Sequence, residues 1–167
     1  MSFLEKIWVL FSSSLFIEWI MKDMIIMKEN PQLIEEINNW IVSNSLIIER
    51  IKYWKLSFND KIIDKFVRLY QLDESYKKLF IAIWLIRDIL WHSRISANEQ
   101  KIWYIPKYDS KLDIIKKEFN ISWDEPVITI SNDVLDLEGK LKAIKYLDDE
   151  LFPNQSKTIW LNYQRIR

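Results

Sequence analysis

Residues 76–91, with the sequence YKKLFIAIWLIRDILW, decide the fold of this chain. The apolar residues of this stretch recur at helical spacing and fall on almost every side of the predicted helix. A helix with that distribution is buried on more than one face. Asp73 precedes it and is predicted to cap its first turn. We therefore expect a long central helix that is packed against other helices.

The sequence before this stretch has the same periodicity. A first helix is predicted from about Ser2 to Lys28, and Pro31 suits the first turn of the next one. Apolar residues from Leu33 to Trp54 continue the helical spacing, and residues 43–45 could interrupt it. A further helix follows, over Ile62, Ile63, Phe66, Val67 and Tyr70, with Asn59 or Asp60 as its cap.

After His92 the sequence becomes polar, and residues 93–100 (SRISANEQ) are predicted to form a loop. Asp109 or Ser110 begins a short helix that is expected to end near Phe119. Residues 127–130, behind Pro126, form the one convincing extended segment. A last helix is predicted from Ser131 or Asp133 to about Leu151, with Gly139 inside it at some cost in stability.

The composition agrees with a helical fold. The chain has 167 residues, of which 49% are apolar, with one Gly and four Pro, and folds built from many tight turns need more of both. We predict an all-α, single-domain helical bundle, with one short extended segment near 127–130. Residues 1–95 would form the core bundle, and 96–167 would form a helical extension packed on it.

The N-terminal region bears on localisation. Residues 7–17 are apolar, but no A-x-A-like cleavage site follows, and the charged Glu18, Lys22 and Asp23 come soon after. The stretch is also shorter than the roughly 20 residues that span a bilayer. We expect a core-facing helix in a cytoplasmic protein without a membrane partner; the alternative is a membrane-surface helix over residues 3–27. The absence of Cys suits a reducing compartment.

Charge and aromatic content leave the binding partner open. The net charge is +0, which argues against binding nucleic acid through overall charge, although a local basic patch is compatible with it. The chain contains nine Trp. Most are expected to fill the core, and the alternatives are an oligomer interface or base stacking.

Several kinds of chemistry are excluded by the residues. The sequence contains no Gly-rich phosphate loop, no H-E-x-x-H and no G-x-S-x-G. Because His92 is the only His and Cys is absent, a transition-metal site of His or Cys ligands is improbable, and we expect no metal and no cofactor. A magnesium site made of carboxylates alone stays open.

The remaining candidate is Arg87–His92 (RDILWH), an Arg followed at the fifth position by the only His. An imidazole titrates near neutrality and can remove a proton from a ribose 2′-OH or give one to the leaving 5′-oxygen. A guanidinium can bind the scissile phosphate through two hydrogen bonds. Asp88 lies four residues before His92, so the two are neighbours on the helix surface.

The stretch Leu85–Arg94 resembles the signature of the HEPN superfamily, whose helical domains occur in toxin–antitoxin, abortive-infection and other antiviral defence systems. Their motif is an Arg, usually a polar residue after it, and a His four to six residues after the Arg. The resemblance implies a metal-independent endoribonuclease, a hydrolase class of RNA-binding enzyme, with Arg87 and His92 catalytic and Asp88 orienting them. It further implies a homodimer whose two motifs share one RNA cleft, and for some members a cognate antitoxin.

Residues that could contact RNA follow the motif. We expect Arg94 and Lys101 to bind phosphate and Trp103 or Tyr104 to stack on bases, with further basic candidates at Lys107, Arg165 and Arg167. On an ideal helix Arg87 and His92 point about 140° apart. Either the helix loosens at Trp91, or the second subunit completes the site.

The alternative function is a non-catalytic helical module for dimerisation or protein interaction, with a degenerate HEPN-like motif. His92 would then be bonded to Asp88 or to a backbone carbonyl, and Arg87 would form an interface ion pair, with Glu74 or a remote acid. This function predicts a closed environment around His92 and an exposed apolar patch elsewhere. The ribonuclease predicts an open groove lined by basic residues.

Overall fold

The computed structural model describes residues 2–39, 41–56, 59–96, 98–104, 109–118, 120, 128–131, 139, 142, 145 and 146. Within these residues the chain is mostly α-helical, as predicted. It has six α-helices, one 3₁₀ turn and a small three-stranded sheet. The helices are α1 (Phe3–Glu29), α2 (Ile34–Asn38), α3 (Asn44–Trp54), α4 (Asp60–Leu69), α5 (Glu74–His92) and α6 (Asp109–Glu118), and the 3₁₀ turn is Pro31–Leu33.

Helix starts follow the capping residues. The Ser43 hydroxyl accepts a hydrogen bond from the backbone N–H of Leu46, at 3.1 Å, so the predicted interruption ends at Ser43 and α3 begins with Asn44. Of the two candidates for α4, Asn59 is the cap, and its side-chain oxygen accepts from the N–H of Ile62 at 3.3 Å. Asp73 accepts from the N–H of Ser75 at the start of α5. Each side chain satisfies a backbone donor that the helix leaves unpaired.

The sheet corrects the prediction for residues 93–100. Strand β1 (Ser93–Ser96) begins directly after α5 and pairs antiparallel with β2 (Lys101–Tyr104), so the expected loop is a β-hairpin. β2 also pairs with β3 (Ile128–Ser131), which confirms the extended segment predicted behind Pro126. Gln100 has φ 51° and lies directly before β2, in the left-handed region that tight turns use. The polar composition of the segment hid the strand, because both residues 94 and 95 of β1 are exposed.

The described chain divides into two compact units, and α1 and α5 contribute residues to both. One unit comprises residues 15–81. Its core contains Met21 of α1, Ile63 and Phe66 of α4, and Phe80 of α5, and the rings of Phe66 and Phe80 meet edge to face at 5.5 Å. Arg50 of α3 binds Asp23 of α1 through two hydrogen bonds, of 3.0 and 2.7 Å. These contacts are typical of helices packed around an apolar core.

The other unit comprises residues 1–14 and 82–167. Its buried residues include Leu10 of α1, Ile86 and Ile89 of α5, Ile102 of β2 and Ile115 of α6. The strands therefore place apolar side chains in the same core as the end of α5. The predicted arrangement of a core bundle, 1–95, and an extension, 96–167, stays a prediction, since much of the second range lies outside the described residues.

The burial of α1 decides between a core-facing helix and a membrane-surface helix over residues 3–27. Ile7 and Leu10 are buried in one unit, and Ile17, Met21 and Ile25 are buried in the other. A membrane-surface helix would present these side chains to lipid, so that alternative is wrong and the core-facing prediction is confirmed. Among the helices of the described part, none has the length and apolarity that crossing a bilayer requires.

Part of the C-terminal prediction cannot be followed in the structure. Ser131 ends β3, so it does not begin the last helix. Gly139, Lys142, Lys145 and Tyr146 are helical, and the remainder of the helix predicted to run to Leu151 lies outside the described residues. Lys107, Arg165 and Arg167 lie outside them as well.

Candidate functional site

Asp88 and His92 lie together at the end of α5. Four residues separate them, which is close to one helical turn, and His92 Nε2 is 3.9 Å from Asp88 Oδ1. The Asp88 side chain is only 13% exposed, whereas the His92 side chain is 58% exposed. The buried carboxylate thus faces the imidazole from inside, while the imidazole remains open to a substrate. We refer to these two residues as the Asp88–His92 pair.

Arg87 does not lie beside His92 on the helix. The backbone stays helical through His92, so the expected loosening at Trp91 does not occur. Because successive residues of an α-helix are about 100° apart, Arg87 and His92 diverge by about 140° around the axis. The Arg87 side chain is half-buried. Completion of the site by a second subunit, the other arrangement weighed from the sequence, stays a prediction.

The β-hairpin after α5 brings together residues that sequence reasoning treated separately. Arg94 of β1 is paired directly with Trp103 of β2, and Ser96 is paired with Lys101. Directly paired residues project from the same side of a sheet, and residues two apart along a strand do so too. Arg94, Lys101 and Trp103 are all exposed. They form one surface, with two cations around an indole, which we call the hairpin face.

Tyr104 lies on the opposite side of β2 from the hairpin face. It is 2% exposed, so its ring is not accessible for stacking on a base, and this expectation is wrong for Tyr104. Its hydroxyl instead donates a hydrogen bond to Asp88 Oδ2, at 3.2 Å. The alternation of side chains along a strand explains the difference, because Trp103 and its neighbour Tyr104 must point to opposite sides.

Electrostatics around Tyr104 keep its hydroxyl protonated. Burial, and after it the charge of the nearby Asp88 carboxylate, raises the pKa of Tyr104 far above its ordinary value. Both effects penalise a phenolate, since it would be poorly solvated and would face a like charge. The Tyr104 hydroxyl therefore keeps its proton and donates a hydrogen bond to Asp88.

The end of α5 is further fixed by Ser93. Its hydroxyl donates to the backbone carbonyl of Ile89, one of the last carbonyls that the helix leaves without an amide partner. Ser93 is also the residue paired with Tyr104 across the two strands. The chain therefore passes from helix to strand within one residue of His92. The backbone next to His92 is held both by the hydrogen bond from Ser93 to Ile89 and by the pairing of β1 with β2.

Clusters of acidic and His side chains bear on metal binding. In the described part of the chain, no three His, Asp or Glu side chains lie close enough together to hold a metal ion. Asp88 and His92 form a group of two.

Sequence reasoning missed the role of Tyr104 and the clustering of the hairpin face. In the structure Lys101, Ile102, Trp103 and Tyr104 alternate between exposed and buried positions, but the only signal in the sequence is the strand preference of Ile102, Trp103 and Tyr104. Ile95 pairs with Ile102 across the turn. Strand pairing, rather than any spacing within one segment, brings Tyr104 to Asp88.

Comparisons with known proteins add no family to this description. No protein-family model matches the chain, and neither the curated proteins nor the solved structures contain a match.

Proposed function

We propose that the protein is a metal-independent endoribonuclease of the HEPN type, acting as a toxin or antiphage defence effector. The observation that carries the proposal is the Asp88–His92 pair: the only His of the chain is open to solvent, and a buried carboxylate lies against one side of its ring. An exposed imidazole with an oriented neighbour is the usual arrangement of a general acid–base catalyst.

The reaction needs only groups that this chain and its substrate supply. The imidazole of His92 takes the proton of a ribose 2′-OH, and the 2′-oxygen bonds to the adjacent phosphorus. The bond from phosphorus to the 5′-oxygen breaks, and the protonated imidazole gives its proton to that oxygen. The products are a 2′,3′-cyclic phosphate and a 5′-hydroxyl. The guanidinium of Arg87 stabilises the negative charge that develops on the phosphate.

Two features of the structure support RNA as the substrate. The hairpin face combines Arg94 and Lys101 with the exposed indole of Trp103, and cations beside an aromatic ring suit the phosphates and bases of a single strand. β1 starts at the residue after His92, so this face is connected directly to the catalytic end of α5.

A homodimer belongs to the same proposal. Arg87 and His92 of one chain diverge around α5, so a cleft shared by two copies would allow the Arg87 of one subunit to act with the His92 of the other. Two-fold symmetry would repeat the arrangement. We include a cognate antitoxin as a partner, which the HEPN resemblance implies for some members, and cytoplasmic localisation, which the N-terminal sequence and the absence of Cys favour.

The experiment is cleavage of RNA by the purified protein with EDTA present, followed by analysis of the 3′ ends. We expect cleavage that leaves 2′,3′-cyclic phosphates and that is lost by at least about 100-fold in His92→Ala and in Arg87→Ala. Arg68→Ala is the control, since Arg68 is also a helical arginine but is exposed and lies on α4 in the other unit. Unchanged cleavage in folded His92→Ala protein would remove His92 from the mechanism.

The second candidate is the non-catalytic interaction module, and one observation favours it. Large apolar side chains are exposed on α3 and just before it, among them Ile41, Val42, Ile48 and Trp54. A patch of this kind is typical of a protein-binding surface. If the purified protein cleaves no RNA in the experiment above, this second function becomes the better conclusion.

A further inference from the structure

The hydrogen bond between Tyr104 and Asp88 joins two parts of the chain that are 16 residues apart. We propose that Tyr104 is a positioning residue for the Asp88–His92 pair: its buried hydroxyl fixes the Asp88 carboxylate so that the other carboxylate oxygen stays directed at the imidazole. The role in catalysis rests on the ribonuclease function proposed above, whereas the contact itself can be tested without it.

Two of the contacts of Asp88 use different oxygens of its carboxylate. Oδ2 accepts from the Tyr104 hydroxyl at 3.2 Å, and Oδ1 lies 3.9 Å from His92 Nε2. A carboxylate is planar, so fixing one oxygen restricts rotation of the group and sets the position of the other. Loss of the bond from Tyr104 would remove one of the contacts that hold the carboxylate, and its side-chain torsions would then be less restricted.

Tyr104 is itself held firmly enough to act in this way. Its ring is 2% exposed, and its backbone is paired with Ser93 in β1 and with Ile128 in β3. β2 is thus the central strand of the sheet. A side chain packed in a core and attached to a doubly paired strand loses little further conformational freedom when it makes a hydrogen bond. This fixed donor is what the end of a helix alone does not provide.

The position of the Asp88 carboxylate affects which tautomer of His92 is favoured. A negative carboxylate facing Nε2 favours the tautomer that carries its proton on Nε2. That tautomer leaves Nδ1 without a proton, so Nδ1 is the nitrogen able to accept one from a ribose 2′-OH. Tyr104 acts on this balance only through Asp88, which makes it a positioning residue and not a group that contacts substrate.

The test uses the fact that His92 is the only histidine of the chain, so its imidazole signals need no assignment. The variant is Tyr104→Phe, which removes the hydroxyl and keeps the buried ring. At one fixed pH near neutrality we expect the ¹⁵N and ¹H signals of the imidazole to move towards those of an unbiased mixture of tautomers. We expect kcat for RNA cleavage to fall about three- to tenfold, the range of one hydrogen bond, with KM nearly unchanged.

Tyr70→Phe is the matched control. The Tyr70 hydroxyl also donates one hydrogen bond, to the carbonyl oxygen of Met24 at 2.7 Å, and both residues belong to the unit of residues 15–81, which does not contain Asp88 or His92. Both variants therefore lose one tyrosine hydroxyl and one hydrogen bond. A purely structural role for Tyr104 predicts the same result for both, with the imidazole signals and kcat unchanged. That result would overturn the proposal.

Asp88→Asn supplies the second arm, and it keeps the test decisive if Tyr104→Phe does not fold. This change removes the charge with little change of shape. We expect it to move the imidazole signals at least as far as Tyr104→Phe does, and we expect Tyr104→Phe to have no further effect when it is added to Asp88→Asn. Imidazole signals that are unchanged in Asp88→Asn would overturn the proposal.

The two arms separate this inference from the proposed function. If the wild type cleaves no RNA, the ribonuclease proposal fails, and the imidazole signals still decide whether Tyr104 acts on His92 through Asp88. If the wild type cleaves RNA and Asp88→Asn lowers kcat while Tyr104→Phe does not, the ribonuclease stands and the role of Tyr104 is refuted.

Discussion

At the scale of single residues, Lys22 is a charged group inside an apolar environment. Its side chain is 5% exposed, and its ammonium group is 2.7 Å from Glu18 Oε1 and 2.9 Å from the carbonyl oxygen of Leu56. Burial of an ammonium group is costly unless its donors are paired. The two acceptors meet that requirement, and they tie the middle of α1 to the residue that follows α3 by two positions.

We therefore expect Lys22→Met to lower the free energy of unfolding by about 2–4 kcal/mol, because it removes the cation of a largely buried ion pair with Glu18 and its bond to the Leu56 carbonyl. Urea denaturation measures the loss. Lys52→Met is the control: Lys52 also forms an ion pair, with Glu49, but its side chain is 61% exposed. Its loss should stay below about 1 kcal/mol. Equal losses in the two variants would contradict a special role for the buried lysine.

Residue-scale chemistry also decides what His92 can do. The sequence singled out Asp88 and His92 as helix neighbours, and the structure places them 3.9 Å apart. What the spacing alone did not give is the difference in exposure between them. That difference arises because α5 ends at His92, so the imidazole lies where the helix leaves the core and the carboxylate lies one turn inside it.

At the scale of elements, the start of α4 shows how a cap selects a helix boundary. Asn59 and Asp60 were equally good caps by residue type. The Asn59 oxygen accepts from the N–H groups of both Lys61 and Ile62, at 3.1 and 3.3 Å, and its backbone is extended. Asp60 is already the first helical residue. Its carboxylate favours the positive end of the helix dipole, which is a weaker effect.

Asn59→Ala should therefore destabilise the protein by about 1 kcal/mol, the usual effect of losing a cap. Asp60→Ala should cost less, roughly half of that, since it removes the charge near the helix start and a hydrogen bond from the Lys61 N–H, a donor that Asn59 also accepts. Thermal unfolding followed by circular dichroism distinguishes the two. A larger loss for Asp60→Ala would make Asp60 the residue that starts the helix.

The hairpin is the element in which prediction from sequence failed. Residues 93–100 have the composition of a loop, and only Ile95 is apolar in β1. A strand with so little apolar surface gains its stability from its partner, here β2, which buries Ile102 and Tyr104. The sequence of residues 93–100 alone does not show that β2 is their partner.

At the scale of the whole molecule, net charge and RNA binding need to be reconciled. The chain carries 24 basic and 24 acidic residues. Overall charge therefore provides no attraction, and the proposed binding of RNA would depend on local groups such as the hairpin face. A site with so few cations should release few counterions. For single-stranded RNA the slope of log K against log salt is about −0.7 for each phosphate contacted.

We expect Arg94→Ala and Lys101→Ala each to make this slope shallower by about 0.7, measured by fluorescence anisotropy in the non-cleaving His92→Ala background. Trp103→Ala should instead weaken binding by about fivefold or more with the slope unchanged, because stacking carries no charge. Lys52→Ala, an exposed lysine of the other unit, should change neither quantity. Identical effects of all four substitutions would show that the hairpin face has no special part in binding.

The sequence by itself determined the mostly helical class, the positions of α1 and α3–α6, and the closeness of Asp88 to His92. These features depend on residues within one or two turns of each other, where the helical repeat and the capping side chains fix the geometry. Only the tertiary structure decided that residues 93–104 form a hairpin, that Arg94 faces Trp103, and that Tyr104 is buried against Asp88. Those features depend on pairing between separate strands and on contact with a helix 16 residues away, and such partners are chosen by the burial of the whole core.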